Sequence, residues 1–194
     1  ADGMSKRVIV IGAGGHGRSV AEAILLLGRD ELIGFVDDGA DPNAKVWTYP
    51  ILGRTNSLHT LRALADTVVV AIGNNAVREK LHARVRDIGF ELQNVIHPAA
   101  FVSPTATLGA GCAVMAGAVV GTEAKLGEGV IVNCGATVDH HCRVGAFGHL
   151  GVNACMAGGS VLGHRVWMQA GSALGYGVQV EDGAMLAPGE ARST

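Results

Sequence analysis

Aromatic residues make up only 4% of the 194-residue chain and charged residues only 16%, with a formal net charge of −2. A core this poor in rings has to be assembled from many small, regular contacts. The near-balanced charge gives no electrostatic reason to expect nucleic acid or an anionic membrane surface as partner. No run of 18 apolar residues occurs, so no membrane span is expected. No signal-peptide pattern precedes the first apolar segment, and Ala1-Asp2-Gly3 ahead of Met4 resembles an expression remnant outside the fold. The four cysteines, Cys112, Cys134, Cys142 and Cys155, show no CxxC spacing. They are read as small core fillers in a reducing cytoplasm rather than as disulfides or metal ligands.

Glycine is what the chain has in quantity, and it is unevenly spread. Residues 101–194 hold 18 of the 29 glycines but only 10 of the 32 acidic and basic residues. That shift divides the chain into an expected domain over 4–96 and a second over 97–194. In the first, Arg7–Ile11 and Glu31–Val36 are expected strands, with a helix over His16–Leu27 between them. Residues 39–49 are expected as loop. A helix over Asn56–Ala65, a strand over Thr67–Ile72, a helix over Ala76–Ile88 and a strand over Phe90–Ile96 complete the series. Strands alternating with helices imply a parallel sheet with helices on its faces, a Rossmann-like α/β domain.

The second domain is a repeat of period six. From Ile96, every sixth residue through Val102, Leu108, Val114 and onward to Val180 and Leu186 is aliphatic or Met. Four residues after each, small side chains dominate, among them Ala106, Cys112, Ala118, Ala124, Ala136, Cys142, Ala154 and Ser160. This is the hexapeptide signature of a parallel β-helix. The large residue points inward and the small one is expected to permit the corner. Three hexads close one coil, so residues 18 apart stack about 4.8 Å apart, and roughly five coils result.

Gly12-Ala13-Gly14-Gly15-His16-Gly17 matches GxGxxG directly after a strand, and an acidic pair, Asp37-Asp38, ends the next strand. The pattern alone names an NAD site. Its physics is broader, because a glycine-lined helix N-terminus accepts any diphosphate, including that of a nucleotide-sugar. No hydride-transfer domain follows, which favours the nucleotide-sugar; a purely structural loop is the other reading.

The glycine loop, FVDD (Phe35–Asp38), YPILG (Tyr49–Gly53), AIGNN (Ala71–Asn75), VIHP (Val95–Pro98), Ser103-Pro104 and VDHHC (Val138–Cys142) occur in this order. With the hexad repeat, the chain resembles the sialic-acid O-acetyltransferase family of hexapeptide-repeat sugar acyltransferases. Within it, the likeness is to N-acetyltransferases of nucleotide-linked 4-amino sugars of the bacillosamine and perosamine type. That resemblance implies a left-handed coil and a homotrimer with active sites between neighbouring coils. It implies transfer of an acetyl group from acetyl-CoA to a UDP- or GDP-linked amino sugar, for bacterial surface glycan or glycoprotein biosynthesis. A sugar O-acetyltransferase and a non-catalytic nucleotide-sugar-binding protein are the alternatives.

The same resemblance assigns residues. Sugar-nucleotide contacts fall on Gly14, Gly15, His16, Asp37, Asp38 and Gly73. Asn133 is either a sugar contact or a core asparagine, and His16 either a contact or a packed helix-start residue. His140 takes the place of the catalytic base. Removing a proton from a sugar ammonium suits an imidazole, which titrates near neutral pH. The family places Asp or Glu after that histidine, but here it is His141. The substitute carboxylate is Asp139, expected to point away, or Glu123, which an 18-residue step puts one coil below His141. The two histidines are expected on opposite sides of the chain. The same step puts Gly158 and Gly159 beside them, either leaving room for a thioester with the Gly158 N–H facing an oxyanion or merely easing a corner. Acetyl-CoA contacts map to His149, Gly158, Ala170 and Pro188, with the family's glycine–proline tail expected beyond Thr194 missing. Zinc of the γ-carbonic anhydrase kind needs an HxxxxH pair, and no two of His140, His141, His149 and His164 are five apart, so no metal is expected.

Overall fold

The computed structural model describes residues 3–194, and Ala1 and Asp2 of the remnant expected at Ala1-Asp2-Gly3 lie outside them. The chain divides into two compact units, one ending at Val95 and one beginning at Ile96.

In the first unit, β1 (Arg7–Ile11) is the apolar run RVIVI, buried from Val8 onward. Burial on both faces suits a central parallel strand. Helix α1 (Gly15–Leu27) follows, burying Gly17, Val20, Ala21 and Ile24 at helical spacing, and stops at Gly28, whose φ of 63° only glycine adopts without strain. Strand β2 (Glu31–Val36) lies parallel to β1 on one side, and β5 (Thr67–Val70) lies parallel to it on the other. Helix α2 (Asn75–Ile88) is capped by Asn74, whose side chain accepts the Val77 N–H. Strand β6 (Glu91–Leu92) completes the sheet beside β5.

Three expectations fail in this unit. The strand expected over Phe90–Ile96 is split into β6 and a separate strand, Val95–Ile96, in a different sheet. The segment 39–49 is not all loop, because β3 (Lys45–Val46) pairs antiparallel with β4 (Tyr49–Gly53) and extends the sheet. The helix expected over 56–65 is a 3₁₀ turn over Thr55–Leu61. There the Ser57 and Thr60 hydroxyls donate to carbonyls three residues back, competing with the α-helical ladder.

The second unit is a left-handed parallel β-helix built of two-residue strands. They stack into parallel sheets of six, six and five strands, counting the strand Val95–Ile96, with partners 18 residues apart throughout, such as Thr137 with Cys155 and His149 with Trp167. The aliphatic ladder fills the interior, with Val114, Val120, Val138, Leu150 and Leu186 fully buried. The small residues expected at the corners prove to be core as well, since Cys112, Ala124, Cys142 and Ala154 are equally buried. Between two inward-pointing columns there is no space for a second large side chain.

The corners are set elsewhere, three residues after each large one. Every sixth residue from Gly111 to Gly189 has φ between 56° and 72°. Most are glycine. The exceptions are Glu123, His141, Phe147, Asn153 and Arg165, where a left-handed conformation costs about 1–2 kcal/mol each.

Candidate functional site

In the first unit, the carboxyl ends of β1, β2 and β5 surround a crevice of about 180 Å³ lined by Gly12, Asp37, Asp38, Thr55, Ile72 and Val77. The chain reverses direction across the sheet beside β1, which is where open α/β sheets place ligands. The glycines of the loop divide by role. A Cβ on Gly12 would meet the Ala71 carbonyl, and one on Gly17 would collide with the Gly12 carbonyl. The first lets the end of β1 approach the segment after β5, and the second lets α1 approach the end of β1. Gly14 and Gly15 have nothing within 4 Å of a Cβ position, and they open α1 with exposed backbone. They are the pair a diphosphate can approach.

The acidic pair is already engaged. Asp37 accepts the Ala13 N–H at 2.8 Å and the Gly39 N–H at 2.8 Å. Asp38 accepts the Thr55 N–H at 2.7 Å and its hydroxyl at 2.9 Å. Both carboxylates therefore brace the rim of the crevice, with one lone pair per oxygen left for a ligand. Gly73, at the exposed loop before α2, is tethered from below. Its carbonyl and that of Ile72 accept from the fully buried Arg78 guanidinium, at 3.3 and 2.9 Å. His16 is half-buried on the first turn of α1.

Residues missed in the sequence lie beside the same loop. Arg18 donates to the Ala13 carbonyl at 3.0 Å and lines, with Lys45 and Gly14, a neighbouring depression. A basic residue four positions past Gly14 was the available signal for the first; nothing in the sequence singles out Lys45.

In the second unit, His140, His141, Glu123 and Gly158 come together. His140 begins the turn after the strand Thr137–Val138, and His141 occupies the left-handed corner. The two rings meet edge to face, with centroids 5.4 Å apart and Nδ1 to Nδ1 3.1 Å. They do not project to opposite sides as expected. The positive φ of His141 swings its side chain back alongside its neighbour. One coil below, the Glu123 carboxylate lies 2.5 Å from His141 Nε2. Asp139 also turns inward: it accepts the His140 backbone N–H at 2.7 Å, and its other oxygen is 4.0 Å from His140 Nε2.

Gly158 and Gly159 have separate reasons to lack side chains. Gly159 is a corner with φ of 71°. Gly158 has its Cβ position within the His140 imidazole. A side chain at Gly158 would therefore collide with the catalytic candidate's own ring. One further coil along the same column stands Tyr176, largely exposed; a second step of 18 from His140 would have found it.

The acetyl-CoA candidates sit on another side of the coil. His149 stacks on Trp167, centroids 6.0 Å apart at 23°, in a different sheet from the strand preceding His140. Ala170 and Pro188 are exposed corner residues one coil apart. Asn133 is half-buried, and its side chain accepts the Cys134 N–H at 2.8 Å, so it is a corner residue rather than a core one. Among the described residues, no group of three histidine, cysteine or acidic side chains is placed to hold a metal ion.

Comparison with known proteins places this arrangement. The PglD N-terminal domain family matches residues 7–85. PerB from Caulobacter crescentus, solved with CoA and GDP-perosamine, is 38% identical, with 97% of this chain and 93% of that one aligned and a TM-score of 0.83. The chain belongs to the nucleotide-linked amino-sugar N-acetyltransferase family. Another of this family, the acetyltransferase domain of PglB from Neisseria gonorrhoeae FA1090 in complex with acetyl coenzyme A, is 35% identical over 97% of this chain and 99% of that one, with a TM-score of 0.76. The UDP-N-acetylbacillosamine N-acetyltransferase of Bacillus subtilis (strain 168) is 33% identical over 115 residues, 57% of this chain. The match spans about half of that relative, 52% of its length. In this chain two imidazoles pair over the Glu123 carboxylate, where the resemblance led to the expectation of a histidine followed directly by an acid.

Proposed function

We propose that this protein transfers the acetyl group of acetyl-CoA to the 4-amino group of a UDP- or GDP-linked dideoxy amino sugar, with His140 as general base. The observation that carries the reading is the His140 ring, which lies over a glycine, backed on one side by His141 and open on the other. An imidazole so placed can take the proton from an amine as its nitrogen attacks a thioester carbonyl.

In this reading Gly14, Gly15 and His16 hold the diphosphate, while Asp37, Asp38 and Gly73 line the nucleoside, and Asn133 contacts the sugar. His149, Ala170 and Pro188 hold acetyl-CoA, and the Gly158 N–H receives the developing oxyanion. The protein works as a homotrimer, in which His149 of one copy completes the cleft of the next. The exposed Phe101, Trp167 and Met185 on the coil support that assembly. No described helix is long and apolar enough to cross a membrane.

Thiol release from acetyl-CoA, followed over UDP-, GDP- and dTDP-linked 4-amino sugars and sialic acid, tests the reading. Turnover on one of the linked amino sugars is expected. Turnover on sialic acid alone would make the protein an O-acetyltransferase, and binding without turnover a sugar-nucleotide receptor. A monomeric mass by light scattering at micromolar concentration would remove the trimer.

A further inference from the structure

We propose that Glu123 and His141 are positioning residues that lock His140 into the tautomer whose Nε2 lone pair faces the substrate, and that lend it a negative charge through a second imidazole. The proposal rests on the reading of His140 as the base and adds what stands behind it.

With both imidazoles neutral, the state in which His140 can act as a base, the proton count along the contacts runs one way. An ionised carboxylate can only accept hydrogen bonds, so at the Glu123 Oε2 contact His141 Nε2 is the donor. A neutral imidazole with its proton on Nε2 has an acceptor at Nδ1. His140 Nδ1, 3.1 Å away, must then donate into it. That leaves Nε2 of His140 unprotonated, on the side of Gly158. As the amine nitrogen bonds to the acetyl carbon and the carbon–sulfur bond breaks, Nε2 takes the amine proton and then delivers it to the departing CoA thiolate. The Nδ1–H bond to His141 stays in place throughout, so the pair needs no rearrangement while the proton comes and goes.

The backbone carries a second, independent sign. Glu123 and His141 occupy consecutive corners of one column, with φ of 58° and 59°. The next two corners of that column are Gly159 and Gly177. A side chain at such a corner is strained, as it also is at Phe147, Asn153 and Arg165, and at Glu123 and His141 the two strained side chains meet as carboxylate and imidazole. Strained conformations of this kind collect at sites where the surroundings use them. Glu123 is itself anchored: its N–H donates to the Thr105 hydroxyl at 2.9 Å, and that hydroxyl lies 2.8 Å from the Ser103 hydroxyl. Asp139 cannot take over the role. One of its oxygens is bound to the His140 backbone, and the other stands 4.0 Å from Nε2, the reacting nitrogen, not from Nδ1.

The test uses the full chain in four forms: native, Glu123→Gln, His141→Asp and the double variant. Asp tolerates the left-handed corner and puts a carboxylate directly against His140 Nδ1. Glu123→Gln is expected to lower kcat about tenfold, below the roughly 10²–10⁴-fold that positioned proton transfer itself contributes, with both KM values unchanged. In the His141→Asp background the same change should cost less than about twofold, because the carboxylate no longer acts through the histidine. Equal losses in both backgrounds, or none in the native one, overturn the proposal. A readout free of activity accompanies it. In the substrate-free protein, ¹⁵N spectra of the rings should show His140 protonated on Nδ1 and His141 on Nε2. The reverse pattern overturns the relay whatever the kinetics. Those tautomers in a protein that acetylates no sugar would instead sink the proposed function and leave the relay standing.

Discussion

The two units solve the same problem, placing a few polar groups on a rigid frame, by opposite means. In the first unit each turn has its own cause: Gly12 and Gly17 allow close backbone approach, Asn74 caps α2, Asp37 ties the end of β2 to the glycine loop, and Asp38 ties it to Thr55. Function shows there as space, at Gly14 and Gly15, where nothing fills the position a side chain would take. In the β-helix every coil repeats the last, so the rule itself becomes visible and function shows as its violation. Most corners are glycine, and of the five that are not, Glu123 and His141 belong to the candidate site while Phe147, Asn153 and Arg165 do not. An irregular domain has to be read by what is absent, and a regular one by what does not belong.

Breaking the regular unit at its chemical exception should produce the largest effect. His140→Ala is expected to lower kcat roughly 10²–10⁴-fold while acetyl-CoA and sugar still bind, as seen by calorimetry. A loss of only a few-fold would mean that proximity alone carries the transfer. If His141→Ala proves crippling and His140→Ala mild, the base is His141 and the contrast between the units shifts by one residue.

Breaking the same unit at its rule should cost stability instead. Leu150 is fully buried in the ladder, and Leu150→Ala should destabilise by about 2–5 kcal/mol, read as a lowered denaturation midpoint. An unchanged midpoint would mean that neighbouring coils relax into the gap.

The two units should also separate in their kinetic constants. Gly14→Val, in the open part of the loop, should raise the sugar-nucleotide KM about tenfold, the equivalent of roughly 1.4 kcal/mol, with little change in that for acetyl-CoA. His149→Ala should do the reverse. Equal changes in both constants for either variant would break the division of labour.

A further expected effect appears only in acid. His82, fully buried on α2, has its pKa pushed down to about 4, chiefly by burial and then by the nearby Arg78 and Arg86. The unfolded chain takes up that proton near pH 6.5, while the folded one resists until about 4. Between those values the unfolded state binds more protons, so stability falls as the pH falls. His82→Gln should flatten the slope of denaturation midpoint against pH in that window, and a slope identical to the native one would assign the acid sensitivity elsewhere.

What was legible in advance follows from the same contrast. A step of six picked out the buried ladder, and a step of 18 set Glu123 beneath His141 and Gly158 beside His140. Both depend only on counting, which a repeat makes safe. The touching of His140 and His141 was not legible, because it depends on a positive φ at a histidine, and nothing short of the glycines above it in the column announces that. Nor was the engagement of Asp37 and Asp38, since Ala13 and Thr55 donate from segments whose pairing no local pattern reveals. The expected helix over 56–65 failed for a similar reason: its apolar spacing is helical, but Ser57 and Thr60 spend their hydroxyls on the backbone.

The coil also makes chain length a functional variable in its own right. Between Glu123 and His141 the count must be 18, whatever the residues are. A duplicated coil inserted after Gly127 would leave each of the two on its own corner and the core intact, yet would part them by a further rung, about 4.8 Å, and silence their contact. Insertion of a single hexad would carry His140 and everything above it around to the next side. A loop on the first unit can lengthen without moving its neighbours, whereas in the β-helix an insertion is a translation or a rotation of the whole upper half. This half of the protein is therefore open to drift in composition and closed to drift in length, and relatives that share its chemistry should align through residues 123–141 without a gap.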